Sequence, residues 1–156
     1  MPTPDFILQL REKIGQDLLW LPGATAVVLD DRDRVLLGRR ADNGIWTLIT
    51  GILEPGEQPA VGIVREVFEE TGVVAEVEHL AEVFAGGPME FVNGDQAQFL
   101  TLNFRCRYIS GEARVNDDES SAVGWFALGD LPELPDYHRA RLSAALRANG
   151  VPEFVR

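Results

Sequence analysis

Cysteine is nearly absent from this chain. Cys106 is the one thiol in 156 residues, so no disulfide can form within the chain. The thiol reads as a small buried apolar group rather than a nucleophile. Long apolar runs are missing too, and none approaches the roughly 20 residues a membrane-crossing helix needs. The opening stretch MPTPDFILQLREKIGQDLLWLPG interleaves charges with apolar side chains. It lacks the basic start and apolar block of a secretory leader, so the expectation is a cytoplasmic protein with no membrane partner. Basic residues are also scarce: 14 Lys and Arg face 25 Asp and Glu, for a net charge of −11. That balance argues against a nucleic-acid duplex or an anionic membrane surface, both of which select basic patches. A small phosphorylated ligand stays open, because a divalent cation held by acidic side chains would invert the local field. The two histidines, His79 and His138, lack metal-ligand spacing. No repeat, low-complexity tract or long linker interrupts the chain. Its length fits one domain over 1–156, with 1–22 as an N-terminal helix and strand extension.

The apolar pattern gives the expected elements. Phe6, Ile7, Leu10 and Ile14 recur at helical spacing over 4–15. Residues 17–23 read as an extended segment closed by Pro22 and Gly23, followed by a β-branched strand at 24–30. A polar turn, DRDR, and the run VLLGRR at 35–40 predict a hairpin. Another short strand is expected at 45–51. From Pro59 to Thr71 the period becomes helical, with Val61, Val64, Val67 and Phe68 as the packing stripe. Pro59 suits the first turn and Gly72 the left-handed position after the last. Residues 73–86 read as a strand with a break near Glu78 and His79. Residues 99–109 read as a strand alternating Leu100, Leu102, Phe104 and Cys106 against Thr101, Asn103, Arg105 and Arg107. A strand at 122–128 and a helix at 137–149 complete an α/β (α+β) order with mixed layers.

One stretch breaks local rules. Glu66, Glu69 and Glu70 crowd into five residues of an already acidic chain. At helical spacing of three and four they share a face, where like charges repel. They also sit toward the C-terminal half of the helix, where the macrodipole disfavours anions. A solvated acidic face is one reading. The other is a set of hard oxygen ligands for Mg²⁺ or Mn²⁺, with Arg65 holding one glutamate in place.

Gly51, Glu57, Arg65, Glu66, Val67, Glu69, Glu70, Gly72 and Val73 meet every position of G-x5-E-x7-R-E-U-x-E-E-x-G-U, where U is aliphatic. The stretch therefore resembles the Nudix box. The resemblance implies a Nudix-type αβα sandwich with a mixed central sheet, and hydrolysis of a pyrophosphate linkage in a nucleoside diphosphate derivative with Mg²⁺ or Mn²⁺ as cofactor. It implies that Glu66, Glu69, Glu70 and the Gly51 carbonyl hold metal. It further implies that Arg65 orients a glutamate and that Glu57 braces the loop or joins an outer metal shell. The family often carries a glutamate before its last short strand as an extra ligand or base; Glu119 fits, with Asp118 as alternate. Leu48-Ile49-Thr50 stand where many members read LPG before the box glycine. A proline about fifteen residues past the box resembles a marker of ADP-ribose hydrolases, and Pro88 holds that place. An ADP-ribose-like nucleotide sugar is thus the favoured substrate. A nucleoside triphosphate, including oxidised forms, is the alternative, and a non-catalytic nucleotide sensor is a further one.

Outside the box, cations are wanted for the phosphates and flat surfaces for a base. Arg39 and Arg40 end the hairpin strand; alternation sends one of them to the site, and Arg39 is favoured. Trp46 and Phe91 are the candidate stacking surfaces, with Trp46 equally suited to the core. Leu18, Leu19 and Trp20 either cover the chain's own sheet or form a homodimer contact.

Overall fold

A computed structural model describes residues 3–156. Helix α1 (Asp5–Ile14) ends on Gly15 at φ 62°. Strand β1 (Leu19–Leu29) leads to β2 (Arg34–Arg40), β3 (Trp46–Thr47) and β4 (Ile49–Ile52). Helix α2 (Pro59–Thr71) is followed by β5 (Val74–Ala85), β6 (Met89–Glu90), β7 (Gln96–Ser110), β8 (Ser120–Ala127) and α3 (Asp136–Arg147). Strands β1 and β7 run parallel from Leu19↔Ala97 to Leu29↔Arg107, and the other strand pairs are antiparallel.

The layers follow from strand alternation. Even positions of β1, Ala24, Ala26 and Val28, pack with Ile63 and Val67 of α2. Odd positions, Val27 and Leu29, pack with Leu142 and Ala145 of α3. Leu21 meets Ile7 of α1. One helix therefore covers one face of the mixed sheet and two cover the other, which makes an αβα sandwich.

Several sequence expectations are corrected. Pro22 and Gly23 do not close an extended segment. Pro22 has no N–H to give, yet β1 runs through both residues, flanked by β7 and β4. The 24–30 and 35–40 runs meet at one register pair, Leu29↔Val35, and β2 pairs instead along its length with β8. The sheet thus forks beside β1, with β4 on one arm and β2 on the other. The expected strand at 45–51 is split into β3 and β4 at Leu48, whose side chain goes into the α3-side core. In β7 both faces are covered, so polar Thr101 and Asn103 are as buried as Phe104 and Cys106. Two-sided burial erases the simple alternation. On α2 the packing side holds Ile63 and Val67, while Val61 and Phe68 are exposed. The break expected near Glu78 is present as register shifts between Val77 and His79 and between Leu80 and Glu82.

Candidate active site

The candidate site lies where β4 passes into α2, beside the fork in the sheet. Pro59 opens the helix and Gly72, at φ 72°, ends it. This helix brings its glutamates to two different environments. Glu66 and Glu70 are buried, at 2% and 7% exposure, on the same side as Ile63 and Val67. Glu69 is half exposed and turns to Arg65. The single shared face expected for the three is therefore divided. Repulsion is relieved for Glu69 by solvent and Arg65, and it is concentrated between Glu66 and Glu70.

Arg65 ties the motif together. Its Nε donates to Glu57 Oε1 at 2.9 Å. Its Nη1 lies 3.0 Å from Glu66 Oε1 and donates to Glu69 Oε2 at 2.9 Å. Burial opposes the guanidinium charge, yet Glu57, Glu66 and Glu69 together hold it above the ordinary arginine range. Glu57 also accepts from the Glu54 N–H through Oε2, at 3.1 Å, which closes the loop after β4. Gly62 makes room for this carboxylate: a Cβ there would stand 2.7 Å from Glu57 Cδ.

Neither Glu66 oxygen accepts a well-aligned hydrogen bond, although Oε1 is ion-paired with Arg65. Burial pushes the Glu66 carboxyl up to about 7; Arg65 opposes the rise and Glu69 adds to it. Burial also lifts Glu70, to about 8, with Glu66 and Asp117 adding to it and Arg40 opposing. Two buried carboxyls that resist ionisation through desolvation mark a candidate functional site.

A small polar cavity opens beside Glu70. Its wall includes Arg40, Thr47, Thr50, Glu119 and Ser120. The structure places Arg40, not Arg39, in this wall. A register shift between Arg39 and Arg40 in the pairing with β8 disturbs the alternation on which the choice rested. Arg39 Nε donates instead to the Gly44 carbonyl at 2.9 Å. Arg40 is held by Asp42, with Nη2 2.6 Å from Oδ2. Trp46 packs edge-on against Phe126, centroids 4.9 Å apart, against the α3-side core. Phe91 packs against the cluster of Ile7, Leu21 and Ala97 under α1. Both aromatics thus contribute to packing. His138 is half-buried at the start of α3; desolvation first, then Arg40 and Arg141, pull its imidazole down to about 4.

The loop between β7 and β8 closes the far end of the helix. Arg114 N–H donates to Thr71 O at 2.9 Å, and Asn116 N–H donates to Glu70 O at 3.2 Å. Asn116 Nδ2 donates to Phe68 O and Glu69 O, both at 3.1 Å. The next residue, Asp117, accepts from the Glu119 N–H at 3.0 Å, and Glu119 O accepts from Ala41 N at 2.7 Å. Asn116, Asp117, Arg40 and Gly62 were missed or ranked low because none has a periodic or motif signal. Each matters only through what the fold sets beside it.

The family model described as NUDIX domain matches residues 20–147. The chain belongs to the Nudix family. It is 38% identical over 146 residues to a MutT-like protein of Streptomyces ambofaciens, covering 93% of this chain and 88% of that one. It is 36% identical over 112 residues to the NAD-capped RNA hydrolase NudC of Pseudomonas aeruginosa strain PAO1, covering 70% of this chain but 37% of that relative. Among solved structures, a MutT NUDIX hydrolase from Burkholderia pseudomallei shares 30% identity at a TM-score of 0.65, covering 81% of this chain and 98% of that one. As a Nudix hydrolase, the chain acts on pyrophosphate bonds of small nucleotides, and Nudix hydrolases generally use divalent metal ions. No helix among the described residues is long and apolar enough to cross a membrane.

The residues present fit such an ion at Glu66 and Glu70. Both offer hard oxygen donors, both are buried, and Glu66 accepts no well-aligned hydrogen bond, its Oε1 being ion-paired with Arg65. Glu69 is engaged by Arg65, and no three acidic, histidine or cysteine side chains among the described residues are gathered as a ready metal cluster.

Proposed function

We propose that this Nudix chain hydrolyses the pyrophosphate linkage of an ADP-ribose-like nucleotide sugar with Mg²⁺ or Mn²⁺. The observation that carries the site assignment is the buried Glu66–Glu70 pair within a complete Nudix box. Glu66 and Glu70 would hold the ion, with Glu69 and the Gly51 carbonyl as further oxygen donors. The bound ion would supply the positive charge that the phosphates require and would acidify water. Arg65 and Glu57 keep the loop and helix in register. Arg40 stands in the cavity wall, where a guanidinium can bind a phosphate oxygen. Glu119 lines the same wall and would serve as a further ligand or take a proton from an attacking water.

The preference for a nucleotide sugar rests on Pro88 and on the relatives named for NAD-capped RNA. NAD, like ADP-ribose, joins two ribosyl groups through a pyrophosphate. The test is a panel of ADP-ribose, NAD, diadenosine polyphosphates and nucleoside triphosphates with Mg²⁺, with products separated by chromatography. ADP-ribose should give AMP and ribose 5-phosphate with the highest kcat/KM. Triphosphates cleaved faster to monophosphate and pyrophosphate would replace the substrate assignment. Tight binding without cleavage of any compound would make the chain a sensor, a reading the intact set of box glutamates disfavours.

A further inference from the structure

We infer that Asn116 is a positioning residue that locks the loop carrying Asp117 and Glu119 onto the last turn of the glutamate helix. The inference rests on the metal reading of Glu66 and Glu70 above. The end of a helix leaves carbonyls without donors and a negative end of the macrodipole. Here that end also carries Glu69 and Glu70, so the local field is doubly unfavourable. The last turn of α2 has no Lys or Arg of its own; the loop supplies N–H donors, and the Arg114 guanidinium lies beside the cap residue Gly72, 3.1 Å from where its Cβ would stand. The Asn116 side-chain amide reaches the carbonyls of Phe68 and Glu69, and its backbone N–H reaches that of Glu70. The Arg114 N–H takes that of Thr71. The carbonyls of Glu69, Glu70 and Thr71 are thereby satisfied from one loop, and that of Phe68, which already accepts from the Gly72 N–H, gains a second donor; Asn116 serves three of the four.

The same clamp sets where the next residues go. Asp117 follows Asn116 directly and holds the Glu119 N–H, while Glu119 lines the cavity with Glu70. Fixing Asn116 on the helix end, together with the Ala41 N–H that holds the Glu119 carbonyl, sets the spacing between the helix carboxylates and the loop carboxylates. A mobile loop would leave each carboxylate intact but misplace it, and outer partners of a metal site are worth about 10- to 100-fold in affinity or activity.

The experiment compares Asn116→Ala and Asn116→Gln with wild type by Mn²⁺ titration, reading free Mn²⁺ by EPR per folded molecule, and by steady-state kinetics. The Ala variant should bind Mn²⁺ about tenfold more weakly and lose kcat, while KM for nucleotide at saturating Mn²⁺ stays within about twofold. The Gln variant keeps a donating amide and should recover most of the Mn²⁺ affinity. A purely structural cap would lower Tm and leave Mn²⁺ affinity of the folded molecules unchanged, which overturns the inference. A Gln variant no better than Ala overturns it as well. A wild-type chain that binds no Mn²⁺ overturns both this inference and the metal reading; wild-type binding that the Ala variant matches overturns the positioning role alone.

Discussion

Glu66 lies against the bare α-carbon of Gly51: a methyl group added there would stand 2.6 Å from Glu66 Cγ. The contact is tight on both sides, because Glu66 is buried and has no open space to retreat into. Gly51→Ala should therefore displace the carboxylate without unfolding the sheet. We expect kcat to fall by at least about tenfold with a near-native circular dichroism spectrum. Unaltered turnover would show that Glu66 does not need this position.

Glu70→Gln keeps the size of the side chain and removes its charge. Turnover of the preferred nucleotide should drop on the order of a hundredfold or more, with Tm equal to or above wild type in chelator. Equal turnover in the folded variant would remove Glu70 from the metal assignment.

In the metal-free chain, Glu66 and Glu70 keep their protons up to about 7 and about 8, against an ordinary 4.5. Above pH 4.5 the native state thus binds more protons at these groups than the unfolded chain does. Their contribution to stability is full below that pH and is lost as pH rises through the raised values. His138 works in the opposite sense between about 4 and 6.5, where the unfolded imidazole takes a proton that the half-buried one refuses. Above pH 4.5 the two carboxyls outweigh the one imidazole, so stability in chelator should peak near pH 4 to 4.5 and decline from there, falling by about 2 kcal/mol, or roughly 6 °C in Tm, between pH 6.5 and pH 8.5. Differential scanning calorimetry checks this, and Glu70→Gln should flatten the fall. Saturating Mg²⁺ should raise Tm more at pH 8.5 than at pH 6. A Tm that climbs across that interval would contradict the assignment of buried, proton-retaining carboxyls.

The two neighbouring arginines give a direct contrast. Arg40→Ala should raise KM for the nucleotide by about tenfold, the scale of one charge-assisted hydrogen bond. Arg39→Ala should leave KM within about twofold, since Arg40 lines the cavity and Arg39 turns to the Gly44 carbonyl. The reverse order in initial-rate measurements would return the phosphate contact to Arg39.

The box residues were legible in the sequence because the helix and its glycine stops impose a fixed spacing on them. Pro59 and Gly72 likewise mark the ends of α2 by backbone restrictions that act locally. The division between buried Glu66 and Glu70 and exposed Glu69 was not legible. Apolar spacing made Val61 and Phe68 look like packing positions, and the sheet instead receives the side of the helix that bears two carboxylates. Arg40 was hidden by an irregularity in strand pairing, which leaves no trace in composition. Asn103 was hidden for a different reason: its side-chain amide donates to the Arg141 carbonyl across the sheet-helix interface, a contact made between distant parts of the chain.

The unbroken parallel pairing of β1 with β7 also bears on how the chain comes to be folded. Leu19 is in register with Ala97, and Leu29 with Arg107 on that side. During synthesis β1 emerges long before that partner exists, and parallel partners so far apart along the chain are slow to meet. The glutamate helix packs on β1, so its catalytic geometry cannot be completed until β7 has left the ribosome. A nascent chain halted before β7 should carry the whole box and show no hydrolysis.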